Sequence, residues 1–163
     1  MKRILPAVVF FVLVGLVAAL PAARADVNTE FSKIKNDLLA KGLSSSDINA
    51  VEDPAKTMLN AGAASADIKN IVLDFAAKGF QGTELESLME MVNGLVKNGD
   101  RLKLAQMVIG QAADKAKASG AKGSTLMAKI QELVKQHTES VNAIKNKTSG
   151  WGSFVKSSVK GEK

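Results

Sequence analysis

Residues 62–68 read GAASADI, and this stretch decides the fold because its layout occurs three times in the chain. Residues 42–48 read GLSSSDI and residues 79–85 read GFQGTEL, so each stretch has a glycine, then an acidic residue five positions on and an aliphatic residue six positions on. Glycine adopts the left-handed conformation that ends helices, and an acidic side chain is favoured near the positive end of a helix dipole. Each stretch therefore predicts the end of one helix and the start of the next. Residues 120–126 repeat the layout without the acid.

Between these stretches the apolar residues recur at the three- and four-residue spacing of amphipathic helices. The sets are Phe31, Ile34 and Leu38; Ile68, Ile71, Val72 and Phe75; and Leu85, Leu88, Met89, Val92 and Leu95. None of these segments alternates as a strand does. They predict the first, third and fourth helices.

The helix starts are predicted from their capping residues. A serine or threonine after each glycine is expected to cap the next helix, and Thr83 with Glu86 has the spacing of a capping box. Asp53 and Pro54 are typical of an N-cap and the first helical position. The segment from Ser46 to Glu52 and the segment from Pro54 to Ala61 are therefore expected to form two short helices or one kinked helix.

The remaining body predicts two more helices. Leu102, Leu104, Met107 and Val108 continue into an alanine-rich segment, and a longer helix carries Leu126, Ile130, Leu133, His137, Val141 and Ile144 on one stripe. We expect an all-α fold, a compact bundle of about six short helices. Stacked helix-pair repeats are the alternative architecture.

The N-terminal residues 1–25 read as a secretory signal peptide. Lys2 and Arg3 precede an apolar run that leads to the small residues around Ala25, and cleavage is expected there. The alternative is an uncleaved N-terminal anchor. The chain then divides into a helical domain at 26–148 and a basic amphipathic tail at 149–163, beginning where Ser149 and Gly150 are expected to end the last long helix. The predicted location is periplasmic or secreted.

Charge and composition exclude several classes of protein. Beyond the signal peptide, residues 26–140 carry 14 basic and 15 acidic side chains, whereas residues 141–163 carry five basic and one acidic. A body with no net basic charge gives nucleic-acid binding little support. The chain has no cysteine, so disulfides, thiolate metal sites and lipid attachment through a thiol are excluded.

No residue set specifies a reaction, a cofactor or a metal. His137 is the single histidine, and its place on an apolar stripe is more typical of a hydrogen-bonded core or edge residue than of a base. The paired carboxylates, such as Glu84 with Glu86, lie at helix starts, where the helix dipole explains them. We therefore predict a protein that is not an enzyme and carries no cofactor or metal.

The C-terminal tail holds the residues predicted to touch a partner. These residues recur at helical spacing and are Trp151, Phe154, Val155, Lys156, Val159 and Lys160. A helix with one aromatic and one basic face is typical of contact with an anionic membrane surface. The competing interpretation is that Trp151 and Phe154 plug the end of the bundle.

A second set of candidate contacts is weaker. Thioether side chains fill irregular surfaces, so four methionines are candidates for an apolar groove. They are Met89, Met91, Met107 and Met127. Gly94 and Gly110 lie inside predicted helices, where they would mark close helix crossings or breaks.

Together these features predict an exported, non-enzymatic helical binding or accessory protein of the cell envelope. Its partner is an unknown protein or an envelope surface, with peripheral membrane contact through the C-terminal tail. The alternatives are a carrier of an apolar ligand or lipid and, least favoured, a hydrolase with an unrecognised site.

Overall fold

The computed structural model describes residues 26–97 and 101–159, with side chains described as far as Ile144 and at Asn146. Within these ranges the chain forms seven helices and no strand. The helices are α1 (Val27–Ala40), α2 (Ser45–Ala50), α3 (Glu52–Asn60), α4 (Ser65–Ala77), α5 (Gly82–Lys97), α6 (Leu102–Ala118) and α7 (Gly123–Val159). The predicted all-α fold is confirmed. The predicted signal peptide, residues 1–25, lies outside the described residues.

The glycines of the repeated layout end helices α1, α3 and α4 in the same way. Gly42, Gly62 and Gly79 have φ angles of +87°, +92° and +85°, which is the left-handed conformation that glycine reaches without a Cβ clash. After each glycine, the next backbone N–H donates to a carbonyl five residues back. The three bonds run from Leu43 to Leu38 at 3.1 Å, from Ala63 to Met58 at 3.0 Å and from Phe80 to Phe75 at 3.2 Å. These are Schellman motifs, and they pair an apolar residue after the turn with one before it.

The helix starts differ from the prediction at two of the three repeats. Ser44 caps α2 as expected, because its hydroxyl accepts the N–H of Asp47 at 3.1 Å. Ser65, however, is the first residue of α4 and Thr83 the second residue of α5, so neither precedes its helix. The capping-box assignment for Thr83 is therefore wrong. The N-terminus of α5 is reached instead by a side chain from α2, described below.

The segment around Asp53 forms two helices, which was one of the two expected outcomes. Helix α3 begins at Glu52 rather than after Asp53, and Val51 alone separates it from α2. Pro54 is tolerated in the first turn because the missing N–H has no intrahelical acceptor there. Asp53 is consequently inside the helix and is not its N-cap.

Helix α5 lies at the centre of the structure. It packs against α2, α3 and α4 and also against α6 and α7. Its predicted stripe is buried throughout and comprises Leu85, Leu88, Met89, Val92 and Leu95. The predicted stripes of α1 and α4 are buried as well.

Contacts between helices that are distant in sequence distinguish a bundle from a repeat array. Helix α1 packs against α4, and α2 packs against α5. In a solenoid each repeat contacts only its neighbours. The fold is therefore a compact bundle, and the repeated glycine layout is helix punctuation within it.

The buried side of α6 includes only part of the apolar set named from the sequence. Its inward residues are mostly small and comprise Ala105, Val108, Ile109, Gly110, Ala112, Ala113 and Ala116. Leu104 and Met107, predicted to lie with Val108, are exposed. Helix α6 packs against both α5 and α7, and its pair with α7 shares the most extensive contacts between helices in the described part of the chain.

The two glycines inside helices mark neither breaks nor close crossings. Helices α5 and α6 continue through Gly94 and Gly110. A Cβ added at Gly94 would meet no atom within 4 Å, and one added at Gly110 would lie 3.9 Å from the Lys78 side chain, an ordinary contact. The prediction that Gly94 and Gly110 mark breaks or close helix crossings is therefore wrong.

Replacing two glycines with alanine tests this account of the backbone. We expect Gly94→Ala to raise the free energy of unfolding by about 0.5–1 kcal/mol, because alanine favours the helical backbone and the site is open. Gly42→Ala should lower it by about 1–2 kcal/mol, because alanine is strained in the left-handed conformation. Urea denaturation followed by circular dichroism measures both. Equal effects of the two substitutions would contradict the assignment.

Candidate functional site

Most of the predicted contact residues lie within α7. Helix α7 does not end at Ser149 and Gly150, as expected, but continues to Val159 and includes Trp151, Phe154 and Val155. A helix tolerates an internal glycine at about 1 kcal/mol, and no proline follows to stop it. The side chains of these residues and of Lys156 and Val159 are not among those described, and Lys160 is outside the described residues. The contact surface predicted for them, like the division at 148/149, stays a prediction.

The length of α7 separates it into a packed part and a part that extends beyond its partner helix. It has 37 residues and α6 has 17, which correspond to about 55 Å and 25 Å at the helical rise. The short connection at 119–122 returns α7 along α6. The C-terminal half of α7 is consequently too far along the axis to pack against α6.

Burial along α7 falls in the same direction. Leu126 and Ile130 are buried, Leu133 and Val141 are half-buried, and Ile144 is exposed. The predicted apolar stripe of the last helix is therefore confirmed as a core element only over its first turns. Its later residues continue the same pattern where less of the protein covers them.

Three of the four exposed large apolar side chains in the described residues belong to the α6–α7 hairpin. The exposed fractions are 38% for Leu104, 51% for Met107 and 62% for Ile144, and the fourth, Leu39 at 42%, lies on α1. Leu104 and Met107 line one groove with His137, and Ile144 follows His137 by seven residues, two helical turns along the same side. We call Leu104, Met107 and Ile144 the hairpin surface.

The groove between α6 and α7 has a volume of about 350 Å³ and is lined by apolar and polar side chains and one lysine, Lys115. Its α7 wall consists of Leu133, Gln136, His137 and Ser140. The Nε2 atom of His137 is buried and has no hydrogen-bond partner within the described part of the chain. No carboxylate lines this groove to orient the imidazole. The expectation of a hydrogen-bonded His137 is thus not met at Nε2.

The methionines do not converge on one surface. Met89 is fully buried in the core, and Met91 and Met127 are half-buried against it. Met107 alone of the four is exposed. A groove formed by all four methionines is therefore ruled out in the described structure, while Met107 contributes to the hairpin surface.

Several charged side chains form hydrogen bonds to the ends of neighbouring helices. The Asp47 carboxylate accepts the Ser44 hydroxyl at 2.6 Å and the backbone N–H of Gly82, at the start of α5, at 2.7 Å. These two bonds, the Ser44 hydroxyl first, hold the pKa of Asp47 below its usual value of 3.8. Asp47 thereby joins the N-termini of α2 and α5, where the helix dipoles favour a negative charge.

Glu30 makes the equivalent connection between α1 and α4. Its carboxylate accepts Lys33 at 2.7 Å and the hydroxyl of Ser65, the first residue of α4, at 2.6 Å. The Lys33 contact, followed by the Ser65 bond, lowers the pKa of Glu30. Glu30 and Asp47 therefore stabilise helix termini through bonds to neighbouring helices.

A lysine of α6 binds the C-terminal end of α4. The Lys117 amine donates to the carbonyl of Lys78 and lies 4.1 Å from the centre of the Phe80 ring. A cation is favoured at a helix C-terminus and over an aromatic face. Lys78 itself pairs with Asp114 at 2.8 Å. These polar contacts attach α6 to α4.

The near-zero net charge of residues 26–140 is the sum of two regions of opposite charge. Residues 26–97, which hold α1 to α5, carry seven basic and eleven acidic side chains. Residues 101–159, which hold α6 and α7, carry ten basic and three acidic, and seven of the basic and all three acidic side chains lie at 101–140. The basic excess thus begins at α6, well before the tail, and summing the charge helix by helix would have located it. The hairpin surface belongs to the basic region.

Other kinds of site are not found among the described residues. No group of three or more histidine, aspartate or glutamate side chains there is arranged to hold a metal ion. Of the helices at 26–97 and 101–159, none is both long and apolar enough to cross a bilayer. The chain matches no family of known proteins, no curated protein and no solved structure.

The bond from Asp47 to α5 gives a pH-dependent prediction. Because its pKa is lowered on folding, Asp47 stabilises the fold above the unfolded-state value near 3.8, and this contribution is lost as the pH falls through the folded-state pKa. We expect Asp47→Asn to lower the free energy of unfolding by about 1 kcal/mol at pH 7 and by progressively less as the pH falls below about 4. Urea denaturation across this pH range measures the difference.

Asp67 provides the matched control for Asp47. It occupies the same position in the second repeated stretch, and no cross-helix bond from it is found in the described residues. Asp67→Asn should therefore change stability less than Asp47→Asn at pH 7. A loss for Asp47→Asn that is constant with pH, or equal to the loss for Asp67→Asn, would contradict the assigned role.

Proposed function

We propose that this chain is an exported, non-enzymatic binding or accessory protein of the cell envelope that meets its partner through the hairpin surface. The observation that carries the proposal is the exposure of Leu104, Met107 and Ile144 on one hairpin. Single exposed apolar residues are common on protein surfaces, whereas a group of them on one side marks an interaction site. The periplasm or the exterior is the proposed location, on the strength of the signal-like residues 1–25.

The composition of α6 supports a binding role for its outer side. This helix places alanines and a glycine inward and leaves a leucine and a methionine outward. Burial of an apolar side chain stabilises a fold by roughly 1.5–3 kcal/mol, so Leu104 and Met107 contribute less to this fold than they would in the core. Covering them with a partner would release that free energy.

The surroundings of His137 favour binding over catalysis. An imidazole that acts as a base needs a group to orient it and a reacting group within hydrogen-bond reach. The groove provides apolar side chains, amides, the Ser140 hydroxyl and Lys115. Such a lining suits a contact surface, and His137 would then form part of its floor.

Site-specific crosslinking in the producing cell tests this proposal. A photo-reactive amino acid at Met107 should give crosslinked species, because a bound partner covers this position. The same amino acid at Leu39, which is similarly exposed but lies on α1 outside the hairpin surface, should give few or none. Gel mobility and mass spectrometry identify the products. Equal yields at the two positions, or no product at Met107, would contradict the proposed surface.

A further inference from the structure

We infer that the hairpin surface, with the lysines of α7, binds an anionic phospholipid surface. This inference rests on the proposed function and names its partner. A surface that was apolar and carried no charge would suit a protein partner or a second copy of the chain equally well. The distribution of charge favours lipid.

The first argument is the separation of charge between the two parts of the bundle. The region that carries the hairpin surface has ten basic and three acidic side chains, whereas residues 26–97 have an acidic excess. Basic side chains near a membrane containing anionic lipids each contribute about 1 kcal/mol of attraction. Electrostatics would therefore orient the molecule with α6 and α7 toward such a membrane and with α1 to α5 away from it.

The second argument is the immediate neighbourhood of Met107. The exposed lysines Lys103 and Lys115 line the grooves on its two sides. Two acidic side chains also lie near, but Asp114 is paired with Lys78 at 2.8 Å and Asp74 accepts the amide of Gln106 at 3.4 Å. Apolar side chains flanked by lysines resemble the lipid-facing side of interfacial helices, where lysine stems lie along the apolar layer.

The third argument concerns the part of α7 that extends beyond α6. From Val141 to Val159 the sequence carries Lys145, Lys147 and Lys156 and no acidic residue. Helices that pair with a second copy use acidic and basic residues together, because like charges repel. A segment without an acid disfavours such pairing and complements lipid phosphates. The same segment contains Trp151, a residue type enriched at membrane interfaces.

Vesicle binding tests the inference with the protein purified in the form that the producing cell releases. We expect binding to vesicles of equal parts phosphatidylglycerol and phosphatidylcholine, and little binding to phosphatidylcholine alone. Trp151 is the chain's single tryptophan, so a blue shift of its fluorescence reports the contact, and flotation gives the bound fraction. Leu104→Ser with Met107→Ser should weaken binding about tenfold. The triple change Lys145→Gln, Lys147→Gln and Lys156→Gln should weaken it about fivefold per lysine.

Leu39→Ser is the matched control, because it removes a similarly exposed leucine from the acidic part of the bundle. It should bind as the unchanged protein does. Any contribution of residues 1–25 is common to all variants. The substituted positions on α6 are exposed, so the double variant should retain the helical content and thermal midpoint of the parent, and circular dichroism checks this.

Three outcomes would overturn the inference. One is equal binding to the two kinds of vesicle or to neither. Another is a loss for Leu39→Ser as large as for the α6 double variant. The third is crosslinking of position 107 in the cell to a second copy or to another protein in place of lipid. That last result would leave the proposed binding surface standing, whereas no product at position 107 together with no vesicle binding would remove both.

Discussion

The rest of the structure depends on the burial of one stripe of α5, a helix that packs against earlier helices and against the α6–α7 hairpin. Leu85, Leu88 and Met89 lie in a core shared with α2, α3 and α4, and the same helix also supports α6 and α7. A fully buried leucine contributes roughly 1.5–3 kcal/mol, so the loss of any one of the five buried residues of this helix would be large beside the net stability of a domain of this size. Without α5, the described contacts between the first four helices and the hairpin would be chiefly polar, such as those of Lys78 and Lys117. The position of the hairpin surface therefore follows from the packing of α5.

The helix boundaries set by local chemistry could be predicted, and those set by distant side chains could not. Gly42 and its counterparts end their helices through bonds to carbonyls five residues back, which the sequence specifies by itself. The start of α5 is different, because the acceptor for the Gly82 N–H is Asp47, 35 residues away. Glu30 and Ser65 are also 35 residues apart. Such partners become neighbours only when the helices pack, and so the sequence suggested local serine and threonine caps instead.

The same limit explains what was missed in α6. The apolar set Leu102, Leu104, Met107 and Val108 predicted the helix but did not include Ile109, which is fully buried. In the structure Val108 is buried together with Ile109 and several alanines, whereas Leu104 and Met107 are exposed. The candidate contacts were consequently assigned to the tail and to the methionines, and Leu104 was not among them. The basic charge of α6 was hidden because it was summed with the acidic charge of the first five helices.

Helix α7 connects the core to the candidate surface without a change in its apolar pattern. The stripe that anchors the helix at Leu126 and Ile130 reappears at Ile144, where the surrounding bundle no longer covers it. A continuous helix is stiff over this distance, so the packing of its first turns fixes the direction of its exposed side. Substitutions at the buried end would therefore change how the exposed end is presented, even where they leave the hairpin surface intact. Stability and recognition are linked in this helix because the same row of residues serves both.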